Sequence, residues 1–114
     1  MKKLAMFVVS GALALAMTPA HAANVSVAAA GLTFIPPVFQ AHGGATVTFT
    51  NMDVTLFPHT LTSDAPICGT GVVCNTGTVS PGGHASFVLK AGLASGQYQF
   101  HCNFHPNMKA LLVV

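Results

Sequence analysis

No window of this 114-residue chain carries the 3.6-residue periodicity of an amphipathic helix. Short runs rich in Val, Thr and Phe recur instead, set apart by Gly, Pro and Asn, and that punctuation predicts an all-β sandwich. The runs place strands at 24–30, 33–41, 45–51, 57–62, 84–90, 96–102 and 109–114. Alternation is clearest in Ala45–Thr50, where Val47 and Phe49 turn inward, and in His84–Leu89, where Ala85, Phe87 and Leu89 do. In Gln97–Cys102 the residues Tyr98, Phe100 and Cys102 share the inner face, which turns His101 the opposite way. His42 and His84 stand beside Gly43-Gly44 and Gly82-Gly83 and read as surface histidines of turns. Ser63 to Gly83 is the long irregular connection, of a length that usually carries function or is pinned.

The inward column that ends at Cys102 opens into His101-Cys102-Asn103-Phe104-His105-Pro106-Asn107-Met108. Within it Cys102, His105 and Met108 are spaced C-x-x-H-x-x-M, so one short loop carries a thiol, an imidazole and a thioether. A type 1 (blue) copper site takes two imidazoles and a thiolate with a long axial Met, a set acceptable to both Cu(I) and Cu(II). The loop lacks one imidazole of that set, and His59 in Phe57-Pro58-His59-Thr60 is the natural source. Pro58 and Pro106 restrict the backbone beside the two imidazoles. Each donor also has a plain structural role open to it. Met108 can be a core residue, His105 a loop residue, and Cys102 half of a disulfide with Cys68 or Cys74. All three must coincide to empty the site.

Residues 1–22 read as a cleavable export signal. Lys2-Lys3 are a basic start, Leu4–Met17 an apolar stretch, and Ala20-His21-Ala22 a small-x-small cleavage site. The apolar stretch is shorter than the roughly 20 residues that span a bilayer, and no cysteine follows the cleavage site to take a lipid, so no membrane anchor is expected. The expected mature chain is a single domain, 23–114, in the periplasm. There Lys90 and Lys109 face Asp53 and Asp64 with no arginine, which leaves no net charge and no basic footprint for nucleic acid. Three cysteines in an exported chain leave one thiol to explain. Cys68 and Cys74, six apart in a Gly-rich segment, can close a small loop, and a metal would hold Cys102.

At these residues the chain resembles the cupredoxins, the small blue-copper proteins, with a ligand-loop spacing like that of amicyanin. Plastocyanin shares the Cys-to-His spacing but has more residues before the Met. The resemblance runs through Phe34-Ile35-Pro36-Pro37, Gly44–Asn51, Pro58-His59-Thr60 and Gly96–Cys102 into the loop. It implies a Greek-key β-sandwich with copper near one end, held by His59, Cys102 and His105 with Met108 axial, and a role in shuttling single electrons. Thr60 and Asn103 stand where the family commonly has Asn and Ser or Thr, as if exchanged, and Ala110 stands where it often has Gly. The Cys68/Cys74 pair is not part of the amicyanin pattern.

The reading that follows is an exported monomeric one-electron carrier, not an enzyme. Its expected partners are transient redox proteins such as a c-type cytochrome or a dehydrogenase. A copper-binding or delivery module is the alternative, but such sites favour several methionines or paired cysteines, and only Met52 lies outside the loop in the mature chain. A copper enzyme would need a second metal site, and the remaining histidines form no H-x-H pair.

Overall fold

The structure, a computed structural model, describes residues 23–54 and 57–114. The export signal read at 1–22 lies outside the described residues. Among these residues no helix is long and apolar enough to cross a membrane. The described residues form eight strands: β1 (Val25–Ala30), β2 (Thr33–Ile35), β3 (Val38–Gln40), β4 (Thr46–Asn51), β5 (Thr62–Ser63), β6 (His84–Val88), β7 (Gln97–His101) and β8 (Lys109–Val113). They make two four-stranded sheets, ordered β2-β1-β4-β6 and β3-β8-β7-β5. From β2 to β7 each successive strand lies in the opposite sheet, the interleaving of a Greek-key sandwich. β1 runs parallel to β4 and β3 parallel to β8, while the other pairs are antiparallel.

Two expected strands are corrected. The run 33–41 is two strands, because Pro36 and Pro37 have no N–H to offer a ladder. Before them β2 pairs with β1; after them β3 pairs with β8 in the other sheet. Two prolines thus carry the chain across the sandwich. The run 57–62 is not a strand either, apart from Thr62 at its end. Pro58 again lacks a donor, and the rest is tied to 74–79 by scattered bonds. His59 and Val79 exchange N–H···O bonds of 3.2 and 2.8 Å, Thr76 donates its N–H to Leu61 O, and Ser63 donates its N–H to Cys74 O.

The expected inward columns form the core. Val47, Phe49, Leu89, Phe100 and Cys102 are fully buried, with Ala85, Phe87 and Tyr98 partly buried against them. Phe100 of β7 stacks on Phe87 of β6 across the two sheets, with centroids 5.8 Å apart, and leans on Phe39 of β3 at 5.6 Å. Phe34 and Phe49 meet edge-on at 5.9 Å inside the first sheet. At the 43–45 turn the backbone needs glycine: a Cβ on Gly43 would sit 2.6 Å from Lys90 O and 2.8 Å from Leu93 N.

The cysteine question resolves in favour of a Cys68–Cys74 bridge with Cα atoms 5.0 Å apart, leaving Cys102 as a buried free thiol. The bridge braces the segment that backs His59, because Cys74 donates its N–H to Ser63 Oγ at 2.8 Å. Replacing both bridge cysteines by serine is expected to cost about 2 kcal/mol, the chain-entropy value for so short a loop. Denaturant unfolding of the metal-free protein measures this, and an unchanged midpoint would show that the bridge constrains nothing.

Candidate metal centre

Strand parity delivers Cys102 into the core at the end of β7, and the chain then folds back at once. Met108 donates its N–H to His105 O at 2.8 Å, and Cys102 donates its N–H to Met108 O at 3.1 Å. These two bonds make 102–108 a closed loop that bears a candidate donor at each anchor point. His59 reaches the same place from the 57–61 segment, held there by its paired bonds to Val79.

The donors converge. One ring nitrogen of His59, one of His105 and Sγ of Cys102 all lie within 4.8 Å of one another. Cys102 Sγ is 3.8 Å from His59 Nδ1 and 3.6 Å from His105 Nδ1. A metal ion lying between them at about 2.0 Å from nitrogen and 2.3 Å from sulfur, in trigonal geometry, requires separations close to these. Cys102 and His59 are fully buried and His105 half-buried, so the site is closed inward and open on the His105 side. Met108 is buried, at 2 % exposure, and lines a surface depression of about 270 Å³ with Leu32, Phe104, His105, Pro106 and Asn107. A soft sulfur ligand and two imidazoles, with a thioether on the same loop, suit copper better than a hard, oxygen-seeking ion.

The chain matches the model of the cupredoxin-like domain over residues 3–114. It belongs to the cupredoxin family. Solved structures similar to this cupredoxin include mutants of amicyanin. A reduced proline-to-phenylalanine mutant shares 25% identity at a TM-score of 0.64, over 80% of this chain and 81% of that one. A reduced tryptophan-to-tyrosine mutant shares 24% identity at 0.64, over 87% of each chain. No curated protein matches the sequence.

Around the donors this cupredoxin departs from the commoner pattern without losing the cross-loop tie. Thr60 donates its N–H to Cys102 Sγ at 3.4 Å, and its Oγ1 accepts the Asn103 N–H at 2.9 Å. Thr60 therefore links both segments by itself. The Asn103 side chain is released from that duty and faces His101, with its Oδ1 3.0 Å from His101 Nε2. His101 lies off the site as parity requires, yet it has partners, since its Nδ1 is bonded to Asp64. His42 and His84 are exposed, as their turn contexts imply.

Sequence reasoning missed two residues. Asn51 continues the inward column of Val47 and Phe49, so the parity of β4 was a signal for a buried amide. It donates through Nδ2 to Phe57 O at 2.8 Å and Val79 O at 3.0 Å, and so clasps the two segments around His59. Asp53 was legible only as one of four charges. Its Oδ2 lies 2.7 Å from His59 Nε2, and its Oδ1 accepts the Gly31 N–H at 2.7 Å. The Gly31 N–H, and after it the His59 ring, hold the Asp53 carboxyl below the usual carboxylate range.

Proposed function

We propose that this cupredoxin is a blue-copper one-electron carrier, exported to the periplasm by residues 1–22 and working there as a monomer between redox proteins. The observation that carries the reading is the convergence of His59 Nδ1, His105 Nδ1 and the buried Sγ of Cys102, which is in no disulfide. A free thiol in an exported protein is exposed to oxidation unless it is held, and a metal would hold this one as thiolate. His59, Cys102 and His105 are the strong ligands in this proposal and Met108 the weak axial one. Copper, when bound there, supplies the Cu(II)/Cu(I) couple.

The chain's own part is to keep the donors still and water out. Cys102 is anchored by its own N–H and by the Thr60 N–H, while His59 is boxed between Val79 and Asp53. Little rearrangement is then needed between oxidation states. The test is to titrate the metal-free protein with copper. An intense visible thiolate-to-copper band, a reversible one-electron wave and slow loss of copper to a chelator are expected. A colourless complex would overturn the reading, and rapid loss to the chelator would favour delivery instead.

Electrons should pass through His105, the half-buried ligand. Its ring meets Phe57 edge-on at 5.9 Å, and Leu32, Phe57 and Phe104 around it are 47–61% exposed. No Asp, Glu, Lys or Arg is among the described residues that line the depression beside it. Asp53 and Asp64 are each paired with a histidine, which reduces the field available for steering still further. Stopped-flow oxidation by a redox partner should therefore change little between low and moderate salt. Replacing Phe104 with Asp should slow transfer without bleaching the copper. Indifference to that charge would place the port elsewhere.

A further inference from the structure

An imidazole can give a metal only the nitrogen that carries no proton, so the site works only if His59 holds its proton on the correct side. Its Nδ1 faces Cys102 Sγ and its Nε2 faces Asp53 Oδ2. An ionised carboxylate accepts and cannot donate, so the 2.7 Å contact requires Nε2–H, and in the neutral ring the Nδ1 lone pair is then directed at the thiol.

We propose that Asp53 is the positioning residue of this centre: its carboxylate locks His59 into the Nε2–H tautomer and one ring setting before any metal arrives. When copper is bound, its negative charge favours Cu(II) over Cu(I).

Asp53 is itself immobilised, as such a role demands. Each carboxylate oxygen has one partner, Gly31 N–H on Oδ1 and His59 on Oδ2. Its own N–H donates to Asn51 Oδ1 at 3.0 Å, and Asn51 is fully buried at the end of β4. The buried imidazole is thereby fastened to the β1–β2 turn and to β4 of the first sheet, whereas Cys102 extends from β7 of the second. The side chains of the pair are 13% and 0% exposed, so solvent screens this charge weakly. The chemically similar Asp64–His101 pair is 44% and 30% exposed and lies off the site, which makes it a built-in control. A carboxylate behind a metal-binding histidine raises the basicity of that ligand, and losing such a partner typically costs 10- to 100-fold in metal affinity.

The tautomer claim needs no metal, and only the charge claim rests on the copper reading. The test uses Asp53→Ala, Asp53→Asn and, as the control, Asp64→Ala, all at neutral pH. Long-range proton–nitrogen NMR of the metal-free protein should show pure Nε2–H at His59 in wild type and in Asp64→Ala. Asp53→Ala should show a mixture of tautomers. Asp53→Asn offers one acceptor oxygen to the two donors: turned to His59 it keeps the tautomer while Gly31 loses its partner, and the reduction potential should rise because the charge is gone. Copper(II) affinity should fall 10- to 100-fold in Asp53→Ala. An Asp53→Ala protein with the wild-type tautomer and copper(II) affinity within twofold would overturn the proposal, whatever its melting temperature. If Asp53→Ala fails to fold, an Asp53→Asn potential equal to wild type overturns the charge claim. A wild-type protein that is colourless with copper but has the Nε2–H lock would sink the electron-carrier reading and leave the tautomer claim standing.

Discussion

Cys102→Ser is expected to abolish the blue absorption completely while the protein remains folded. The side chain is fully buried at the end of β7, and its sulfur lies between two Nδ1 atoms at 3.6 and 3.8 Å. A serine hydroxyl is nearly isosteric, and the Thr60 N–H that now points at sulfur can point at oxygen. The fold therefore loses little. On the proposed ligand set the metal would lose its soft anionic ligand, and no thiolate would remain to transfer charge into copper. Far-UV circular dichroism should be unchanged and the visible band absent. A Cys102→Ser protein that stayed blue would refute the ligand set. The companion change Met108→Leu should keep the band and raise the potential, because the thioether only adjusts the relative stability of the two oxidation states.

Phe100→Ala should be the most damaging core substitution, costing about 3–5 kcal/mol of unfolding free energy. Phe100 is fully buried and contacts rings from both sheets, Phe87 on one side and Phe39 on the other. Aligned strand backbones on both sides resist collapse into the space, so the cavity should persist. Small domains have only about 5–15 kcal/mol in total, so the loss is a large share. Because Phe100 precedes Cys102 by two residues in the same inward column, the copper loop should loosen too. The blue band should survive at room temperature but copper should leave faster. Denaturant unfolding of the metal-free protein is the measurement, and a loss below about 1 kcal/mol would mean that the sheets close over the gap.

What could be read from the chain alone was whatever depends on neighbours a few residues apart. Side chains alternate across a strand whatever the strand pairs with, so Val47, Phe49, Phe100 and Cys102 could be turned inward without knowing a single partner. The candidate donors of the loop could be picked out for the same reason. Cys102, His105 and Met108 share one loop, and His59 was needed to complete a known coordination preference. Tertiary structure decided everything that depends on which distant backbone lies alongside. A pattern of apolar residues does not say which sheet a run joins, so the break at Pro36-Pro37 looked like one strand and is a crossing between two. Nor does it say that 57–61 would be held by 74–79 rather than by a ladder, or that Cys68 would choose Cys74 over Cys102. Asp53 shows the limit most clearly. It stands six positions before His59 in a stretch without periodicity, so no repeat links them. A hydrogen bond of 2.7 Å is decided by how the two ends are held, Asp53 by Gly31 in the β1–β2 turn and by Asn51 at the end of β4, and His59 by Val79.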